Sequence, residues 1–119
     1  ASGYPPEIAF GGGADLVLSV ENHEGVETTY TVVAELQRVD TSGDSVTVLE
    51  RDRLLEERRT VEAGETWLFR HTVVPAMAGS DLRLTYYVYR GDPPADPDVD
   101  SAYRSTYIWV DVVPPGDSG

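Results

Sequence analysis

Residues 82–91, LRLTYYVYRG, decide the fold class. Leu82, Leu84, Tyr86 and Val88 fall on one side of an extended chain, and Arg83, Thr85, Tyr87 and Tyr89 fall on the other. Successive side chains of a strand point to opposite faces, so this stretch reads as a strand with an apolar inner face. The same period of two recurs in both directions along the chain. In TTYTVVAELQRV (28–39), Tyr30, Val32, Ala34 and Leu36 alternate with Thr31, Val33, Glu35 and Gln37. In TWLFRHTVVP (66–75), Trp67, Phe69, His71 and Val73 alternate with Leu68, Arg70, Thr72 and Val74. ADLVLSVEN (14–22) places Leu16, Leu18 and Val20 together, and AYRSTYIWVDVV (102–113) does the same for Thr106, Ile108, Val110 and Val112.

Between these runs lie clusters of residues that favour turns: NHEG (22–25), DTSGDS (40–45), EAGET (62–66) and AMAGSD (76–81). RDRLLEERRTV (51–61) fits a short helix and an irregular edge strand equally well. About seven short strands without a long helix point to an all-β fold, an antiparallel β-sandwich of immunoglobulin-like or fibronectin III-like type. The chain has no cysteine, so no disulfide joins the sheets and apolar packing alone must hold them. A chain of this length buries roughly 65% of its unfolded surface, enough for one core. Both ends are rich in Gly, Pro and Ser. Residues 1–7 read as a linker, 8–113 as the β-sandwich and 114–119 as a C-terminal tail, as in a domain cut from a longer protein.

All nine basic residues are arginine, against 21 acidic residues and a net charge of -12. Such a charge repels itself in the compact state. The screening length falls from about 8 Å at physiological ionic strength to about 3 Å at 1 M salt, so concentrated salt removes most of that repulsion. Acidity and loss of lysine together resemble the composition of extremely halophilic archaeal proteins. The same sign argues against nucleic acid as a partner, since phosphate backbones need clustered cations. The one basic cluster, Arg51, Arg53, Arg58 and Arg59, is interleaved with acids. No apolar run reaches membrane-spanning length.

VENHEG (20–25) with YTVVAELQRV (30–39), AGETWLFRHTVVPAMAG (63–79), LRLTYYVYRGDPPADP (82–97) and AYRSTYIWVDV (102–112) span most of the chain. Together they resemble the C-terminal extracytoplasmic domain of a haloarchaeal membrane-protein family known only as a domain of unknown function. Gly64-Glu65-Thr66-Trp67 before an alternating strand is also similar to archaeal surface-protein modules with an immunoglobulin-like sandwich. The resemblance implies an exported domain, tethered to a membrane through a segment outside this chain. It carries no activity and no cofactor over to any residue.

Three groups of residues are candidates for chemistry. Asp96, Asp98 and Asp100 have the alternate spacing that opens many calcium loops, with Asp92 close by. Ser101 then stands where such a loop needs glycine, and Tyr107 where it needs a bidentate glutamate. In so acidic a chain this spacing arises by chance, which leaves the three as weak metal candidates. The second group is an aromatic stripe. If the strands around the acidic proline loop pair as a hairpin, Tyr87, Tyr89, Tyr107 and Trp109 share its outer face. Exposed rings of this kind bind sugars or partner proteins; buried or merely cross-strand rings stabilise a sheet. The third group, His23 and His71, has no local spacing that would make a zinc site. No nucleophile motif and no glycine-rich phosphate loop is present. The sequence therefore predicts a non-catalytic domain without a cofactor, a spacer or protein-interaction module of a membrane or cell-surface protein. The alternative is a module that binds surface polysaccharide through the aromatic stripe.

Overall fold

A computed structural model describes residues 7–114. Seven strands follow in order: β1 (Glu7–Ala9), β2 (Ala14–Glu21), β3 (Thr28–Asp40), β4 (Thr47–Val61), β5 (Thr66–Val73), β6 (Gly79–Arg90) and β7 (Arg104–Val113). They form a five-stranded sheet in the order β1-β7-β6-β3-β4 and a two-stranded sheet, β2-β5. The order β7-β6-β3, with β4 added beyond β3 and β2-β5 facing it, is the arrangement of an immunoglobulin-like sandwich. The expected linker and tail lie outside the described residues, apart from Glu7 and Pro114.

The inner faces are those that the alternation marks. Tyr30, Val32, Ala34 and Leu36 of β3, Leu82, Leu84, Tyr86 and Val88 of β6, Trp67, Phe69 and Val73 of β5, and Val110 and Val112 of β7 make one core. Each fully buried aliphatic side chain contributes about 1.5–3 kcal/mol, which is how the sandwich stands without a disulfide. Asn22 organises the turn after β2. Its Nδ2 donates to the carbonyls of Val26 and Val61, each at 2.8 Å, and its Oδ1 accepts from the amide of Glu24 at 2.8 Å. Gly25 there has φ +80°, a conformation in which a side chain is strained.

Two expectations are sharpened. Residues 51–61 are strand, part of a long edge strand whose pairing with β3 shifts register between Ala34 and Glu35 and again between Arg38 and Val39. Near-continuous charge along that edge opposes pairing with other chains, which suits an edge and not a core helix. The sandwich is also not wholly antiparallel, because β1 runs parallel to β7, with Glu7, Ile8 and Ala9 opposite Asp111, Val112 and Val113.

The small sheet does not cover the large one. The inner side of β7 near Thr106 and Ile108 opens to solvent, and Ile108 is 41% exposed. On the opposite flank, Glu57 and Arg59 share the inward face of β4 with Val61 but lie beyond β5 and are exposed.

Candidate interaction surfaces

The sequence places Tyr87, Tyr89, Tyr107 and Trp109 on one face, and the register agrees: Thr85 lies opposite Tyr107, and Arg83 opposite Trp109. An exposed four-ring stripe does not form. Tyr87 and Tyr89 are only 1% and 5% exposed. The reason is the acidic proline loop, residues 91–103. It leaves β6 and folds back across the outer face of the large sheet, where Ala102 packs on Val33, Tyr87 and Tyr89.

Side chains from β4 and β6 fasten this strap. The Tyr89 hydroxyl lies 2.8 Å from Ser101 Oγ and accepts from the Asp98 amide at 3.1 Å. Arg53 donates to the Ala95 carbonyl at 3.2 Å and Arg51 to the Pro97 carbonyl at 3.4 Å. Arg58 pairs with Asp92. The cationic cluster on β4 thus binds this chain's own loop.

A buried polar network lies on this same outer face. Gln37, with no exposed surface, uses its whole amide. Nε2 donates to Glu35 Oε1 at 3.0 Å and to the Tyr87 hydroxyl at 2.9 Å, while Oε1 accepts from Arg83 Nε and Thr85 Oγ1, both at 2.9 Å. Two donors and two acceptor sites are all satisfied. Glu35, 2% exposed, has Arg51 at 3.5 Å and Arg53 at 4.0 Å as counter-charges. A buried carboxylate requires such partners.

Asp92 and Asp98 of the strap have structural roles. Asp98 Oδ1 accepts from the Ser101 amide at 2.7 Å, and its hydrogen bonds to Ser101 lower its pKa. Asp96 and Asp100 point to solvent. Among the described residues, no three His, Asp or Glu side chains converge as metal ligands. His23 is exposed beside Glu21 at 3.0 Å. His71 lies between the sheets. Its Nδ1 is 3.0 Å from the Phe69 carbonyl, an acceptor only, so Nδ1 carries a proton; Nε2 lies 2.6 Å from the Tyr86 hydroxyl, from which the neutral ring accepts. Burial raises the Tyr86 pKa to about 12, so that donor stays protonated.

One cluster has no local sequence signal. Glu24, beside the first turn, accepts from the hydroxyl of Tyr103 and from Arg90 at 3.1 Å. Arg90 and Arg104 stack on the Tyr103 ring, 4.3 and 5.2 Å from its centre. The Tyr103 hydrogen bond, followed by the Arg90 charge, lowers the Glu24 pKa. Tyr103 and Arg104 also line a cavity of about 220 Å³ against Leu18 and Val20 of β2.

Two rings of the expected stripe remain accessible. Tyr107, 52% exposed, meets Trp109 edge to face at 5.7 Å, with the Arg83 guanidinium 5.5 Å from the Tyr107 ring centre. Exposed Ile108 sits between them on the opposite face. β1 pairs with Asp111–Val113, and among the described residues no strand lies beside the edge of β7 from Arg104 to Val110.

A family model described as "Domain of unknown function (DUF1616)" matches residues 1–111. The chain belongs to this family. No curated protein matches this chain. Among solved structures, it is similar to beta-glucosidase from Listeria innocua, with a TM-score of 0.57 at 13% identity over 92% of this chain. The same enzyme in complex with glucose gives 0.57 at 14% over 94%, and in complex with gluconolactone 0.54 at 13% over 94%. The chain spans 15% of the length of each of those enzymes. At such identity the likeness is one of fold alone.

Proposed function

We propose that this domain is a non-catalytic, extracytoplasmic module of a haloarchaeal membrane or cell-surface protein, serving as a spacer that also docks partner proteins. The observation that carries the docking role is the exposed edge of β7, where Tyr107 and Trp109 on one face and Ile108 on the other flank backbone that no strand among the described residues covers. A bare apolar edge is a template for strand addition, and large rings provide contact area at low entropy cost. The acidic, lysine-free surface supports the saline setting. A membrane tether, through a segment outside this chain, rests on the resemblance given above.

A photo-crosslinking amino acid at position 107 of the full-length protein, irradiated in its native cells, tests this reading. A discrete protein adduct at position 107 is expected, absent when the crosslinker stands at exposed Leu49 on β4. The same adduct pattern at both positions would sink it. The Tyr107–Trp109 pair also supports a narrower alternative, binding of cell-surface glycan. Trp67 is buried at 5% exposure, so fluorescence quenching by added polysaccharide would report on Trp109.

A further inference from the structure

The flank opposite β7 carries a different surface. In the two-stranded sheet, β5 pairs with β2 and, among the described residues, with no strand on its other side. The ladder begins with the amide of Asn22 donating to the Glu65 carbonyl at 3.0 Å, and antiparallel bonding alternates from there. The N–H and C=O groups of Thr66, Leu68, Arg70 and Thr72 are thereby turned away from β2, towards a cleft of about 400 Å³ between β5 and β4. Trp67 and Phe69 form one wall and Arg59 of β4 the other, with Leu68, 56% exposed, at the rim.

Glu57 lines this cleft too, but Arg58, Arg59 and Arg70 outnumber it, so the cleft's charge runs against that of the molecule. Although acids outnumber arginines by 21 to nine, neither Arg59 nor Arg70 pairs with a carboxylate among the described residues. Both line this one cleft. Arg51, Arg53 and Arg58, further along β4, are by contrast spent on Glu35, Glu56 and Asp92. Strand edges that must stay unpaired are usually guarded by charge, as β4 is. The free groups of β5 are flanked by two threonines, one leucine and one arginine.

We infer that the β5 edge accepts an extended acidic segment of another protein, which adds as a third strand to the small sheet. Its backbone continues the ladder beyond Leu68 and Arg70. One carboxylate pairs with Arg70 on the outer face, and a neighbour of opposite parity meets Arg59 inside the cleft. An apolar side chain beside Leu68 covers the rim. The site is separate from the β7 edge, and either can fail without the other.

The test uses a capped ten-residue peptide of alternating valine and glutamate, broken once by a Glu-Glu pair so that carboxylates face both arginines. Titration into the isotope-labelled domain should move the amide signals of residues 66–72 and slow hydrogen exchange at Leu68 and Arg70. Replacing glutamate by lysine in the peptide should abolish binding. N-methylation of alternate peptide amides, which leaves charge intact and blocks the ladder, should weaken binding at least tenfold. The R59Q/R70Q double variant, its fold checked by circular dichroism, should lose at least tenfold in affinity. No binding at millimolar peptide, shifts that map to β7, or equal affinity for the N-methylated peptide would each overturn the proposal.

Discussion

Gln37 of β3 and Arg83 of β6 lie directly opposite each other, and the arginine Nε donates to the glutamine Oε1 at 2.9 Å within a buried face of the sheet. The contact is polar and lies on the side away from the sandwich core. Glu35, Thr85 and Tyr87 enclose it on the same face, next to the stretch of sheet that the strap between β6 and β7 covers. Water is excluded there, so every donor and acceptor has to be matched within the protein.

Gln37→Leu keeps the volume and removes all four hydrogen bonds of the amide. Tyr87, Thr85, Arg83 and Glu35 each then lose a partner in a buried place. Urea unfolding should show a loss of about 2–4 kcal/mol, the cost of stranding several buried polar groups. A loss under about 0.5 kcal/mol would mean that the face is wet and the network is not needed.

Tyr89→Phe deletes the hydroxyl that ties Ser101 and Asp98 to the sheet. The strap should loosen while the core stays intact, at a cost of about 1 kcal/mol. Hydrogen exchange should speed up at the amides of Asp98, Ser101 and Ala102 and remain unchanged in β2 and β5. Uniform acceleration across both sheets would refute a local role.

The Tyr30 hydroxyl is buried and, among the described residues, makes no hydrogen bond of good geometry, with Glu24 and Thr28 as its nearest polar neighbours. Burial raises its pKa. An unsatisfied buried hydroxyl costs stability, so Tyr30→Phe should be neutral or stabilising by about 1 kcal/mol. A melting temperature lowered by several degrees would show that the hydroxyl is in fact bonded.

Glu24 has a lowered pKa in the folded state, held down by Tyr103 and Arg90. A depressed carboxylate stabilises the fold above its unfolded value, near 4.5, and that contribution disappears as pH falls through the folded value. Thermal melts from pH 7 to pH 3 in concentrated salt should therefore fall more steeply for the wild type than for Glu24→Gln. Parallel curves would remove Glu24 from the acid response.

The net charge of -12 should make stability depend on salt. Raising KCl from 0.1 M to 3 M screens the repulsion and should raise the melting temperature. Equal melting temperatures at the two concentrations would count against a halophilic design.

Side-chain alternation by itself determined which residues of each strand share a face, because period two is a local property of extended backbone. It thereby marked the core, from Tyr30 and Leu36 to Leu84 and Val110, and it grouped Tyr87, Tyr89, Tyr107 and Trp109 correctly. Composition likewise determined the charge. Which face meets water is not local. Only the tertiary structure decided that Tyr87 and Tyr89 are buried, since that depends on residues 91–103 turning back to reach Arg51 and Arg53 on a strand some forty positions earlier. Glu24 and Tyr103 are separated by 79 positions and meet for the same reason. Which strand edges stay free among the described residues, that of β5 included, follows from pairing between distant segments, which no single segment encodes.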